Sequence, residues 1–333
     1  MADDPLSPIW PLLLGREPTQ AEREAEAARE PADSEQTLAR RLMLSDEFAA
    51  RLRQLKKDAG EISRTVLAGR RLAFVHIEKC GGSTLHAMLA SQFPPERICP
   101  ERFDALGCWT INELSRYDLF SGHFDLAYCR SIPGTVQVIT MLREPRARLM
   151  SLWRFWRAHR ETAATQSHPL VRRARTMDAE TFFSDPVVIR SASVRDAITG
   201  QLIRTGAKGE TGPDDILITN PEQAGEQAWT ALRAMTAFGL VERMEESRLL
   251  INDATGLAMQ PVAPLQVLND LVRNEAAFVK PPEEPMTPAL LARLDALTRA
   301  DRALYARAVR LFARRYAILR LRQRGRRLLR RLR

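Results

Sequence analysis

The stretch Phe74-Val-His-Ile-Glu-Lys-Cys-Gly-Gly-Ser-Thr-Leu85 decides the fold. Its first residues continue an apolar run that begins at Leu72, and a short run of this kind is typical of a strand buried on both faces. A turn with two glycines follows, and a helical pattern comes after it. This order predicts the first strand, turn and helix of an α/β protein with a mostly parallel sheet.

The remaining chain alternates in the same way. Apolar runs predict further strands near residues 117–122, 135–142 and 237–241, and a long helix extends from about 145 to 159. Residues 287–316 have helical spacing, with Thr287 and Pro288 suited to its start and Asp301 expected to begin its second half. We therefore expect a P-loop-like, mostly parallel sheet flanked by helices.

Pattern and composition divide the chain into three parts. Residues 1–65 are expected to be a helical appendage, in which Ser34 precedes apolar residues at helical spacing up to Leu52. Residues 66–316 are expected to form the α/β domain. Residues 317–333 form a basic tail. An amphipathic helix on an anionic membrane surface, a disordered solubilising segment and a segment that binds an acidic polymer all remain open for it.

The charge is concentrated in that tail. The chain of 333 residues has a net charge of +9, and residues 314–333 contain ten arginines and no acid. The other residues therefore carry a net charge of −1. This distribution argues against a basic fold that binds nucleic acid, and no specific nucleic acid partner is expected.

Cysteine usage and hydropathy bear on location. The four cysteines lack CxxC or Cys/His ligand spacing, which is typical of reduced thiols and predicts no metal site. No apolar run approaches the ~18–20 residues that span a bilayer, and the N-terminus lacks a basic secretory leader. The expected location is the cytoplasm, with the tail offering peripheral contact with the inner face of the membrane.

The turn after the first strand has the chemistry of a phosphate site. Backbone N–H groups at the start of a helix favour an anion, and Gly81 and Gly82 let a ligand approach the backbone. Ser83 and Thr84 supply hydroxyl donors, and Lys79 supplies a mobile charge. The lysine precedes the glycines, so this is not a Walker A loop. A tight turn without a ligand is the alternative.

A second site of this type follows the strand predicted at 135–142. Arg143 stands at the carboxyl end of that strand, where ligands collect in open α/β sheets, and Ser151 follows eight residues later in the next helix. Both could contact one phosphate. An isolated arginine at a strand end is often only solvated or salt-bridged. The phosphate interpretation of Arg143 and Ser151 is therefore supported mainly by the second phosphate-type loop at Lys79.

Four segments in this order resemble a known family. They are FVHIEKCGGSTL, LREP with RARLMS, FGLVERMEES at residues 238–247 and DRALYARAVRLF at residues 301–312. The pattern is similar to that of the 3′-phosphoadenosine 5′-phosphosulfate (PAPS)-dependent sulfotransferases, in the carbohydrate branch that includes heparan sulfate 2-O-sulfotransferases. The resemblance extends from about residue 72 to residue 312.

The resemblance implies PAPS as the donor and a hydroxyl of a carbohydrate or glycoconjugate as the acceptor. It assigns the 5′-phosphosulfate to Lys79, Cys80, Gly81, Gly82, Ser83 and Thr84, and the 3′-phosphate to Arg143 and Ser151. Two positions depart from the family pattern: Glu78 replaces a proline, and Cys80 replaces a threonine and so exchanges a good hydrogen-bond donor for a poor one.

The resemblance also places a base at His123, in the segment Ser-Gly-His-Phe. A neutral imidazole suits removal of the acceptor proton at pH 7, while Lys79 would stabilise the departing phosphate. A structural, hydrogen-bonded histidine is the alternative at this position. His76, within the first strand, ranks second as a base and is expected to pack or to orient its neighbours.

Weaker candidates come from two other segments. Arg204 lies in a segment that loosely resembles a family element near the nucleotide or the acceptor, although a surface loop explains the segment better. Trp153, Phe155 and Trp156 could line a sugar cleft, or they could be core. The competing functions are an ATP-dependent phosphotransferase, for which the Walker A loop is lacking, and a non-catalytic protein that binds glycans or membranes.

Overall fold

The computed structural model describes residues 71–204 except 104, residues 218, 220–265 and 268–331, with side chains in the final helix up to residue 324. It also describes residues 16–28 and the isolated positions 10, 42, 45, 47 and 50. Within the appendage expected at 1–65, one helix is therefore described, and most of the segment predicted at 34–52 lies outside the described residues.

Parallel strands form the centre of the molecule. The described residues contain a sheet with the order β2-β1-β3-β4, in which every neighbouring pair is parallel. Its strands are β1 (Arg71–Val75), β2 (Leu119–Gly122), β3 (Val136–Leu142) and β4 (Ala237–Leu240). All four were predicted from apolar runs, with ends that differ by one or two residues. The expectation of an α/β fold with a parallel sheet is confirmed.

Helices cover the sheet and extend beyond it. In the first half of the described chain they are α1 (Gln20–Ala27), α2 (Gly82–Ala90), α3 (Ile111–Leu114), α4 (Pro145–Ala158), α5 (Ala163–Ser167), α6 (Pro169–Thr176) and α7 (Ala179–Phe182). The later ones are α8 (Ala197–Ile203), α9 (Pro221–Ala234), α10 (Met244–Thr255), α11 (Leu268–Asn274), α12 (Pro288–Leu297) and α13 (Arg299–Arg331).

Strand β1 separates two apolar clusters because its side chains alternate between the faces of the sheet. Leu72 and Phe74 pack into the cluster formed with α2, α9 and α13, whereas Ala73 and Val75 pack into the cluster under α3 and β2. All four side chains are at most 2% exposed. This double burial explains why the segment is apolar at every position instead of at alternate ones.

The charged first residue of β1 is also buried. The Arg71 guanidinium donates to the carbonyl oxygens of Tyr117, Pro133 and Ser115, at 3.0, 3.0 and 2.9 Å. Burial lowers its pKa. A buried polar group is tolerated when its donors are satisfied, and these three bonds join the loops at the amino edge of the sheet.

Two buried aspartates cap each other's helices. Asp196 precedes α8, and its Oδ1 accepts from the N–H groups of Ala300 and Asp301 at 2.8 and 3.0 Å. Asp301 lies in the first turn of α13 and accepts from Ile198 and Thr199 at 3.1 and 2.7 Å. The helical region expected at 287–316 is thus two helices, and Asp301 caps α8 instead of starting a helix of its own.

The aspartate pair should leave a signature in stability. Burial, followed by the nearby Asp301 charge, raises the pKa of Asp196 to about 7. The folded protein therefore keeps a proton that the unfolded chain releases above pH ~4, and the pair costs stability as pH rises from about 4 to 7. Relative to wild type, we expect Asp196→Asn to gain roughly 1–3 kcal/mol in free energy of unfolding across that interval, measured by urea denaturation.

Asp301→Asn is the matched comparison. In the wild type, both carboxylate oxygens of Asp301 accept hydrogen bonds from backbone N–H groups, so the amide nitrogen of an asparagine would face a donor. The buried Arg148 would also lose a nearby negative charge. We expect this variant to lose about 2–4 kcal/mol in free energy of unfolding. Equal effects of the two substitutions, or a loss of stability in Asp196→Asn at pH 8, would contradict this account.

Candidate anion site at the carboxyl edge of the sheet

The parallel strands bring four sequence motifs to one edge. Val75 pairs with Gly122 on one side and with Thr140 on the other, and Thr140 pairs with Phe238. The residues after these strand ends are therefore neighbours. Ligands of open α/β sheets bind at this edge.

The loop after β1 has an unusual backbone. Lys79 and Gly81 both have positive φ, at 63° and 68°, and α2 begins at Gly82. The first N–H groups of a helix have no acceptor within it, so they are available to an anion. A left-handed conformation costs a residue with a side chain about 1–2 kcal/mol, so Lys79 is held there by its surroundings.

Gly82 allows α2 to begin against a histidine. A Cβ atom at this position would lie 1.8 Å from the His76 imidazole, which leaves no room for a side chain. The glycine predicted to let a ligand approach the backbone therefore also admits the His76 ring. Gly82 thus brings the start of α2 into contact with His76, which lies beside His123.

The Lys79 side chain folds over an aromatic ring. Its Nζ lies 3.8 Å from the centre of the Phe155 ring in α4, a cation–π contact. Burial lowers the pKa of Lys79 to about 8; the nearby Arg143 lowers it as well, whereas Glu78 opposes the shift. The amine is thus half-buried between the loop after β1 and α4, and an anion placed beside it would raise its pKa.

Arg143 joins the loops after β1 and β3. Its Nη1 donates to the Lys79 carbonyl oxygen at 3.2 Å. Among the described residues no carboxylate forms an ion pair with this guanidinium, and both Arg143 and Ser151 are partly exposed. The structure thus brings Arg143 to the Lys79 loop, while Ser151 lies farther along α4 without a hydrogen bond to Arg143.

The other predicted loop residues differ in what they offer a ligand. Cys80 is fully buried in the core, its N–H donates to the Ile77 carbonyl oxygen at 3.2 Å, and burial raises the pKa of its thiol to about 12. Its inclusion among donor-binding residues is not supported, because neither group faces a ligand. Thr84 is 5% exposed, and its Oγ1 accepts from the Leu265 N–H at 2.9 Å. Ser83 is partly exposed.

His123 stands beside the same loop. Its Nδ1 lies 2.8 Å from the His76 carbonyl oxygen, and because a carbonyl only accepts, Nδ1 carries the proton. The lone pair is therefore on Nε2, as a general base requires. The His76 and His123 rings stack at 4.1 Å, and burial lowers the pKa of His76 well below its ordinary range. His76 thus orients His123, as the sequence predicted.

Gln201 holds the histidine backbone in place. Its Nε2 donates to the carbonyl oxygens of His76, His123 and Phe124 at 3.2, 3.2 and 3.1 Å, and the residue is 6% exposed. Sequence reasoning missed it and considered Arg204 in the same segment. Arg204 instead forms an ion pair with the buried Asp125 at 3.0 Å, so its charge is already compensated.

A second arginine lies next to His123. The Arg102 carbonyl oxygen accepts from the His123 N–H at 2.8 Å, and its Nη1 lies 2.7 Å from the His86 Nε2. The His86 Nδ1 is 3.0 Å from the Ser121 Oγ, and burial together with Arg102 lowers the pKa of His86 to about 4. Within the described residues, Arg102 has no carboxylate partner, so its charge adds to a positive surrounding.

Two of the acids at this edge already accept hydrogen bonds, whereas Glu78 lies in the loop itself, where its charge acts to raise the pKa of Lys79. Glu242, after β4, accepts from the Glu144 N–H and from the Tyr305 hydroxyl, both at 2.8 Å. The Glu144 carboxylate caps α4 by accepting from the Ala147 N–H at 2.7 Å. Glu242 and Tyr305 lie in two motifs noted from the sequence, but their contact depends on the tertiary fold. Glu144 and Glu242 thus have hydrogen bonds of their own, and no described carboxylate forms an ion pair with Arg143 or Arg102.

The aromatic segment of α4 divides between core and site. Trp153 and Trp156 are 0% and 8% exposed and belong to the cluster of α4, α6, α7 and α12. The sugar-cleft interpretation is therefore not supported for them. Phe155 is partly buried and supports Lys79.

Comparisons with known proteins add no assignment. No protein-family model matches the chain, and no curated protein is significantly similar to it. Within the described residues, no three His, Cys, Asp or Glu side chains converge in a way that could hold a metal ion. The interpretation of the site therefore depends on its own geometry.

The Lys79 amine can be titrated directly, because the chain has only five lysines. We expect ¹³C-methylated protein to show one lysine resonance that titrates near pH 8, whereas solvated lysines titrate near 10.4. Lys79→Arg assigns the signal by removing it. An anion bound beside the amine, such as inorganic phosphate, should raise this pKa. Titration of all lysines at the ordinary value would show that the amine is solvated and not held over Phe155.

Proposed function

We propose that this protein is a PAPS-dependent sulfotransferase that moves a sulfuryl group to a hydroxyl of a carbohydrate or glycoconjugate. The loop after β1, with α2 behind it, acts as a P-loop-like cradle. His123 is the general base, and Lys79 stabilises the departing phosphate.

The observation that carries this proposal is the hydrogen bond from Arg143 to the Lys79 carbonyl oxygen. This bond holds the Arg143 guanidinium against the Lys79 loop, and Arg143 is close enough to the Lys79 amine to lower its pKa. Neither group forms an ion pair with a carboxylate among the described residues. A donor with phosphate groups at both ends of a nucleoside needs two such positions. Paired cations at a helix start suit it better than an uncharged ligand.

The roles in the donor site follow from these contacts. The N–H groups at the start of α2, together with Lys79 and Ser83, surround the 5′-phosphosulfate. Arg143 and the more distant Ser151 hold the 3′-phosphate, through a guanidinium fork and a hydroxyl. Cys80 only packs the loop, and Thr84 connects it to Leu265.

The reaction is an in-line displacement at sulfur. His123 Nε2 takes the proton of the acceptor hydroxyl as its oxygen bonds to sulfur. The bond between sulfur and the bridging phosphate oxygen breaks, and that oxygen leaves with the electron pair on adenosine 3′,5′-bisphosphate. Lys79 moves from the Phe155 ring to the oxygen that gains charge. An interaction that strengthens in the transition state lowers the barrier.

Nucleotide binding tests the donor site. By calorimetry, we expect adenosine 3′,5′-bisphosphate to bind at least about tenfold more tightly than ADP, because only the former has a 3′-phosphate. Arg143→Gln should weaken bisphosphate binding about 10- to 100-fold and change ADP binding much less. Arg146→Gln is the matched control, since Arg146 is paired with Asp295. Equal binding of both nucleotides, or of neither, would contradict the proposal.

Turnover tests the base. With PAPS and a panel of glycan acceptors, we expect His123→Ala to lower kcat by roughly 10²–10⁴-fold and to leave affinity for adenosine 3′,5′-bisphosphate unchanged. His168→Asn is the control: this histidine only caps the exposed start of α6, and asparagine is a good cap. Full activity of His123→Ala would exclude His123 as the base.

A further inference from the structure

The final helix leaves the body of the protein as a basic arm. In its first half α13 packs through Leu304, Ala308 and Phe312, each at most 1% exposed. Leu319 is its last buried side chain, at 3% exposure, while the helix continues to Arg331 without a break. The tail predicted as amphipathic or disordered is thus helical as far as it is described, and it is continuous with the core.

The outer side of this arm is apolar. Ile318 and Leu321 are 50% and 65% exposed, and a spacing of three residues places them on the same helix face. Leu319 points into the body, so this face points away from it. The body of the protein cannot cover this apolar side.

Arginines border the apolar side. Arg320, Arg322 and Arg324 are exposed, and the sequence contains no acid after Asp301. Helical spacing puts Arg322 on one border, where its guanidinium also lies 4.0 Å from the Asp253 carboxylate of α10. Arg324 lies on the other border, and Arg320 lies farther round. We define Ile318, Leu321 and these three arginines as the distal face of α13. It combines exposed hydrophobic side chains with a strong positive charge.

We propose that the distal face of α13 binds the surface of an anionic lipid bilayer. An interfacial helix buries its apolar side at the boundary between headgroups and acyl chains, while flanking basic residues contact anionic headgroups. Ile318 and Leu321 match the first requirement, and the arginines match the second. Among the described residues, no helix is long and apolar enough to cross a bilayer, so the contact is superficial.

Two other partners fit the face less well. A soluble acidic polymer would engage the arginines and leave Ile318 and Leu321 in water. A second copy of the chain would cover the apolar side, but it would bring arginines on both helices together without acids to pair them. Only an anionic bilayer satisfies both the charge and the apolar side.

Binding through the arm would also set the position of the candidate site relative to the membrane. Tyr305, in the same helix, donates to Glu242 at the carboxyl edge of the sheet. Thirteen helical residues separate Tyr305 from Ile318, which corresponds to about 20 Å along the axis. A bilayer on the distal face would therefore lie near the site without a flexible linker between them.

Vesicle co-sedimentation of the full chain tests this proposal. We expect binding to phosphatidylcholine vesicles that contain about one third phosphatidylglycerol, and little binding to phosphatidylcholine alone. The double variant Ile318→Gln/Leu321→Gln should lose at least about tenfold in vesicle affinity without a change in charge. Arg320→Gln/Arg324→Gln should lose roughly thirtyfold. Met286→Gln, which alters an exposed hydrophobic residue elsewhere, is the control.

Two further measurements separate the alternatives. Immobilised heparin should retain the Ile318→Gln/Leu321→Gln variant as it retains wild type, and light scattering should show the same mass for both. The proposal is overturned by wild-type protein that ignores anionic vesicles. It is also overturned if the apolar variant binds vesicles as wild type does, which would indicate a purely polyanionic contact. A dimer that this variant abolishes would assign the face to self-association.

Discussion

The common direction of the four strands is the constraint on which the candidate site depends. Because every pair is parallel, the residues after β1, β2, β3 and β4 emerge at one edge. Residues separated by more than 160 positions in the chain, such as His76 and Glu242, thus meet in one region. If one strand ran in the opposite direction, its loop would lie at the amino edge, where Arg71 closes the molecule.

The charges at this edge then distinguish it from an ordinary set of surface loops. Of the acids present, Glu144 and Glu242 already accept backbone or hydroxyl donors, and Glu78 lies beside Lys79 in the loop. Lys79, Arg143 and Arg102 lack carboxylate partners among the described residues. Uncompensated positive charge that is half-buried is costly unless an anion completes it. The depressed pKa of Lys79 reflects this cost, which an anionic donor would relieve.

Buried polar contacts from the helices hold this edge of the sheet in place. Asp196 and Asp301 cap α8 and α13 reciprocally, and Gln201 in α8 binds the backbone of His76 and His123. His123 and the final helix are therefore connected through one buried network. The backbone donors of this network are paired, whereas His76 Nδ1 and the Arg148 Nε and Nη1 atoms are buried without a hydrogen-bond partner among the described residues.

The sequence by itself determined the strands, the turn at Lys79 and the direction of the chain between them, because apolar runs, glycines and capping residues act over a few neighbouring positions. It also identified Arg143 and His123 as strand-end residues. Only the tertiary structure decided that Cys80 faces the core, that Thr84 is covered by Leu265, and that Gln201 and Tyr305 serve the edge. These outcomes depend on packing between segments up to 181 residues apart. Local spacing carries no information about which distant side chain fills a given space or satisfies a given donor.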